Sequence, residues 1–213
     1  MPVDVANWKG MRDDSPFVNA LMRQALQAIE EVMGKNGLNV ILREAGLERY
    51  VDNPPPNNLE TGAQAVEYAR LNQALENFAG RASKGMLKRV GKASFQWGVK
   101  EQAALLGIAG VALKLMPQKQ QKKFILTNMA KALMDTNADG LITVEEKGDQ
   151  IIYTDYGCAI CHTRHAEKPI CYVYWGSLEE ALKWATGADI QVEETMCKAK
   201  GDPYCQFVVG GAA

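Results

Sequence analysis

The chain has 213 residues, 47% of them hydrophobic, and a net charge of −1. That is enough to bury a full core, and the near-neutral balance offers no basic surface for nucleic acid. The opening MPVDVANWKGMRDD has no apolar signal core, and the longest apolar run, Ala103 to Met116, is 14 residues broken by Lys114. Neither export nor a membrane span is expected, and the run reads as a buried helix. Five cysteines with no export signal point to the reducing cytoplasm, where thiols bind metals more often than they pair.

In chain order, Ser15-Pro16 suits the start of a helix over Phe17–Met33, with Leu21, Ala25, Ala28 and Val32 on one face and Gly34 as its stop. Residues 35–60 read as connection, broken by NPPPNN at 53–58. That break divides an N-terminal helical extension, 1–59, from a ligand-binding domain, 60–213. A second helical region, about 61–90, buries Ala65, Tyr68, Ala69, Leu75 and Phe78, and a third covers 93–116 up to Pro117. Gly80, Gly85 and Gly91 each cost a helix about 1 kcal/mol relative to alanine, which implies close packing or a change of direction. A fourth helix, 118–134, carries Phe124, Leu126, Met129 and Leu133.

After Asp139-Gly140 the period changes to alternation. Residues 141–144 and 150–153 read as a hairpin, 171–175 as a third strand, 178–186 as a helix, and 189–196 and 204–209 as further strands. Helices followed by a small, mostly antiparallel sheet make an α+β fold.

Three clusters carry chemistry. Cys171, Glu194, Cys197 and Cys205 offer three thiols and a carboxylate, a complete tetrahedral shell for Zn2+ with no position open for catalysis. Cys158-x-x-Cys161-His162, followed by His165, matches a covalent haem attachment sequence, or supplies a second metal or redox pair, or is a plain loop. Cys158 or Cys161 can also displace Glu194, thiolate being the softer ligand. Asp135 to Glu146 fits every ligand position of an EF-hand calcium loop. Gly148 and the alternation after it replace the exit helix, so a helix-to-hairpin turn is expected and calcium is not. No nucleophile motif, phosphate loop or dinucleotide fingerprint is present, so no catalytic residue is singled out.

The run CYVYWGSLEEALKWATGADIQVEETMCKAKGDPYCQF resembles the 4-vinyl reductase domain, whose signature is a Cys, a small helix, Glu-x-x-Cys, a Gly-Asp turn and a final Cys before an aromatic. It is similar to the zinc-containing sensor domains of phenol-responsive activators, which use this frame to bind zinc. The resemblance implies a cytoplasmic homodimer that holds a small hydrophobic or aromatic molecule between helices and sheet. Tyr153, Tyr172, Tyr174 and Trp175 are the expected lining. The ATPase and DNA-binding parts of those activators have no counterpart here, so the signal is expected to pass to a separate partner. The family name also implies an alternative, a tetrapyrrole-binding protein or vinyl-reductase accessory that uses Cys158, Cys161 and His162.

Overall fold

The computed structural model describes residues 5–102, 113–137 and 139–210. The buried helix expected over Ala103–Met116 lies mostly outside them. The elements are β1 (Pro16–Val18), α1 (Asn19–Glu44), β2 (Thr61–Gln64), α2 (Ala65–Ala79), α3 (Ser83–Gln102) and α4 (Gln118–Thr136). They continue with β3 (Ile142–Lys147), β4 (Gln150–Asp155), α5 (Tyr172–Thr186), β5 (Val192–Met196) and β6 (Cys205–Val209). The fold is α+β, with helices packed on a four-stranded antiparallel sheet in the order β3-β4-β6-β5. No described helix is long and apolar enough to cross a membrane.

Three local expectations need correction. Ser15 does not cap α1: Pro16–Val18 pairs antiparallel with β2, and the Ser15 hydroxyl instead reaches the Asp139 carboxylate at 2.5 Å. The helix is not stopped by Gly34 but kinks there (φ 73°, ψ 166°) and runs on to Glu44. Glycine tolerates that backbone, and Leu38, Ile41 and Leu42 beyond it bury a second apolar stretch that holds the continuation. Residues 171–175 are not a strand; α5 begins at Tyr172. The alternation of YVYW is indistinguishable from one end of an amphipathic helix in so short a run, and Val173, Leu178, Ala181, Leu182 and Ala185 complete its buried stripe.

The hydrophobic core is continuous from α1 (Met22, Leu26, Ile29) through α3 (Leu87, Val90, Phe95) to the sheet (Ile151, Tyr153, Phe207, Val209). Its tightest seam is the crossing of α3 and α5. A Cβ on Gly91 would lie 2.0 Å from the Val173 carbonyl oxygen, and one on Gly176 would lie 2.1 Å from that of Lys88. Two glycines, one from each helix, therefore let the backbones touch. Ser177 Oγ donates to the Gly91 carbonyl at 2.9 Å, and Lys88 and Lys92 flank the seam on Glu179.

The crossing sets opposite signs for two glycine substitutions in one helix. Gly91→Ala and Gly176→Ala should each destabilise by about 3 kcal/mol, because backbone must shift to admit the methyl. Gly85→Ala, whose Cβ meets nothing within 4 Å, should instead stabilise by up to about 1 kcal/mol. Urea unfolding of the three variants checks both signs.

Candidate metal centre and ligand cavity

Five thiols converge at the end of the sheet where β4, β6 and the N-terminus of α5 meet. All are free and buried. Cys171 Sγ lies 3.6 Å from Cys158, 3.8 Å from Cys197 and 3.7 Å from Cys205, and Cys161 Sγ lies 3.3 Å from Cys205. An ion with bonds of about 2.3 Å to sulfur needs tetrahedral edges of about 3.8 Å. The Cys171–Cys197 and Cys171–Cys205 separations meet that requirement.

Each donor reaches the centre for a local reason. Cys171 sits at the residue preceding α5, where its backbone N–H, free of any helical partner, donates to Glu194 Oε2 at 3.0 Å. Glu194 and Cys197 are three residues apart, which in a regular strand puts them on opposite faces. A register shift between Glu194 and Met196 against β6 breaks the alternation, and both side chains are buried as a result. Cys197 N–H donates to Asp202 Oδ2 at 2.8 Å across a turn made by Gly201 at φ 97°. The Lys198 N–H points at Cys205 Sγ at 3.4 Å.

Two overlapping sets of four could each hold a metal ion: Cys171, Glu194, Cys197 and Cys205, and Cys158, Cys161, Cys171 and Cys205. In each, the ligand atoms lie within 4.8 Å of one another. Glu194 Oε1 is buried with no hydrogen-bond partner, an orphan that a cation would satisfy. Burial and the neighbouring Cys197 push the Glu194 carboxyl up to about 9. The donors thus fit a thiophilic divalent ion.

Neither histidine joins the thiols. His162 Nε2 meets the Asp13 carboxylate at 2.8 Å, and His165 is exposed. The Cys-x-x-Cys-His sequence therefore splits, its two sulfurs facing inward to the cluster and its imidazole facing the N-terminal arm. The acidic loop also diverges. Asp135 ion-pairs with Lys131, Asp139 with Arg12, and Glu146 with Lys123 at 2.6 Å and Lys119 at 3.7 Å. Strand β3 stands where an EF-hand would place its exit helix.

Beside the cluster lies an apolar cavity of about 150 Å³. Phe17, Leu21, Tyr68, Phe95, Met129 and Ile142 contribute to its wall, and Asp155, Cys158 and Tyr174 close the end nearest the thiols. Of the four aromatics expected to line a pocket, Tyr174 does so. Tyr153 stands behind it, hydroxyl to hydroxyl at 2.7 Å. Tyr172 and Trp175 are not on the wall; Trp175 lies under the ammonium groups of Lys84 and Lys88. On a helix, successive side chains diverge by about 100°, so the shared strand face expected of Tyr172 and Tyr174 does not exist. The residues missed by sequence, Phe17 and Tyr68 above all, come from β1 and α2 and stack at 4.7 Å. Aromatic content near the N-terminus was the available signal, but nothing in the spacing ties it to residues 129–177.

Residues 151–211 match the family model of the 4-vinyl reductase domain. This part of the chain is a 4-vinyl reductase domain. The match covers β4 through β6 and so includes all five thiols, Glu194 and Tyr174. Among solved structures the fold of the chain resembles an H-NOX protein from K. algicida in the unliganded Fe(II) state, at TM-score 0.58 and 14% identity, covering 91% of this chain and 95% of that one. It also resembles an oxygen-binding H-NOX domain related to soluble guanylate cyclases, at TM-score 0.56 and 13% identity, with 87% and 89% covered. An H-NOX protein from S. oneidensis in the Fe(II)NO ligation state aligns at TM-score 0.56 and 12% identity over 88% and 97%. At these identities the likeness concerns the fold. No curated protein matches the chain.

Asp155 gives this end of the 4-vinyl reductase domain a pH dependence. Burial pushes its carboxyl up to about 7, against the hydrogen bond it accepts from the Gly157 N–H at 2.9 Å. In an unfolded chain the same group ionises near about 3.9. A carboxyl raised on folding stabilises fully below the unfolded value and loses that contribution as pH climbs through the folded one. Stability should fall between about pH 4 and pH 7, with a limiting slope of about 1.4 kcal/mol per unit, and Asp155→Asn should flatten that slope. Urea unfolding at pH 5 and pH 7.5, at matched metal content, measures it.

Proposed function

We propose that the protein is a binding and sensing domain for a small hydrophobic or aromatic molecule, braced by a structural zinc ion. The cavity carries the reading. Apolar cavities of about 150 Å³ stay dry and accept a benzene-sized guest, and this one has the added feature of a few polar groups at one end. Such a pattern, apolar walls with convergent hydrogen-bonding groups, is that of small-molecule sites. Asp155 and the Tyr174 hydroxyl suit a ring bearing a hydroxyl.

Zinc is supported by the donor set, the tetrahedral edge lengths and the orphaned Glu194 oxygen. Cys171, Glu194, Cys197 and Cys205 would hold it. Four protein ligands leave it no open position, so its contribution is to folding and not to reaction chemistry. The reading includes a homodimer in the cytoplasm that signals to a separate partner, as the family resemblance implies.

A tetrapyrrole is the second reading. It is favoured by the fold, since the neighbours include H-NOX proteins with oxygen or Fe(II)NO ligation and a protein whose haem redox potential is modulated by porphyrin distortion. Among the described residues no histidine lines this cavity, and the sulfurs of Cys158 and Cys161 face the thiol cluster. These residues do not fit covalent haem attachment, which places the small aromatic first.

Phenol should raise the melting temperature of the wild-type protein, since a ligand at about a hundred times its Kd adds about 2.7 kcal/mol to the folded state. Ala132→Phe, which fills the cavity from α4, should abolish the shift. A Soret band in freshly purified protein, with no phenol shift, would favour the tetrapyrrole. Elemental analysis should find zinc at one equivalent or more per chain, and Cys197→Ser should lower metal content and stability together.

A further inference from the structure

A tetrahedral ion takes four donors, and this centre supplies six. The zinc reading above uses Cys171, Glu194, Cys197 and Cys205, which leaves the buried thiols of Cys158 and Cys161 beside a filled shell. Their placement is specific. Cys158 Sγ lies 3.6 Å from Cys171 and Cys161 Sγ lies 3.3 Å from Cys205. Each leftover thiol therefore adjoins one member of the same pair. That pair, Cys171 and Cys205, is common to both four-donor sets, and its sulfurs are 3.7 Å apart. Two tetrahedra that share one edge have this connectivity: two bridging donors, and two terminal donors on each side.

We propose that this domain binds a second thiophilic divalent ion through Cys158, Cys161 and the shared sulfurs of Cys171 and Cys205, forming a thiolate-bridged pair with the zinc site. Cys158 and Cys161 are spaced Cys-x-x-Cys, the spacing by which one loop turn directs two sulfurs at one metal. The loop is pinned for it: Arg164 N–H donates to the Cys161 carbonyl at 3.1 Å, and the buried Arg164 guanidinium holds the Ile160 carbonyl at 3.0 Å while pairing with Glu76. His162 turns to Asp13, so the second shell is all sulfur, which selects soft ions such as zinc and cadmium over hard ones. Charge does not oppose the step. Two protons leave Cys158 and Cys161 for solvent as two positive charges arrive, so the net charge of the buried centre stays as it is with one ion. The inference rests on the zinc reading for the first ion and on Cys158 and Cys161 alone for the second.

The test uses the full chain, purified under reductant and exchanged with cadmium-113 alone. Native mass spectrometry should count two ions in the wild type and one in the Cys158→Ser, Cys161→Ser double variant. Cadmium NMR of the wild type should show two resonances split by coupling through the shared sulfurs, a readout that needs no variant to fold. One ion and one resonance in the wild type would overturn the second site and leave the first intact. No ion at all would overturn both. Two resonances without coupling, or two ions persisting in a folded double variant, would place the second ion elsewhere and overturn the bridged pair.

Discussion

The contact between the backbones of α3 and α5 at Gly91 and Gly176 governs the rest of the architecture. Because neither glycine has a side chain, α5 lies flush against α3 on one side while its other side covers the sheet. That position is what brings Cys171, at the start of α5, over the ends of β4 and β6, and Tyr174, one turn on, to the cavity wall. Widening the crossing by one methyl on either helix would displace both. Packing in protein interiors is dense enough that such a shift propagates through neighbouring side chains and is not absorbed locally.

The thiol centre and the cavity are contiguous. Cys158 belongs to the wall of one and the donor set of the other, and Asp155, at the end of β4, is beside both. The polar end of an otherwise apolar space is thus also its metal-proximal end. A guest with a hydroxyl group has its hydrogen-bonding partners there, while α1, α3 and α4 supply the apolar remainder. Positioning of this kind gives orientation from few polar groups and affinity from many apolar ones.

Much of this is legible in the residues. The hairpin of β3 and β4, the strands β5 and β6, the fourth helical region and the donor frame of Cys171, Glu194, Cys197 and Cys205 follow from alternation, helical period and spacing. The family match over residues 151–211 covers the stretch that carries the resemblance. What spacing could not reveal were features decided by distant partners. Val18 enters α1 from a strand because β2 pairs with it, and Gly34 bends a helix because apolar residues beyond it find a core. YVYW becomes helical because α3 offers a groove for Gly176, a contact 85 residues away in sequence from Gly91. The cavity wall draws on segments from residue 17 to residue 177, and no local pattern encodes such convergence.

The register shift in β5 has a further consequence for how length and phase trade against each other. Glu-x-x-Cys works here because the strand carries one residue more than its partner just after Glu194. Without that extra residue the two donors would stand two apart in an uninterrupted pleat, and would again face one side. Three apart with no bulge, they would face opposite sides, and the centre would be lost with every ligand still in the sequence. Spacing and bulge must therefore change together. A chain reading Glu-x-Cys on a regular strand can build the same centre, while one reading Glu-x-x-Cys on a regular strand cannot. Donor identity and strand phase are separate requirements, and only the first is visible as a motif.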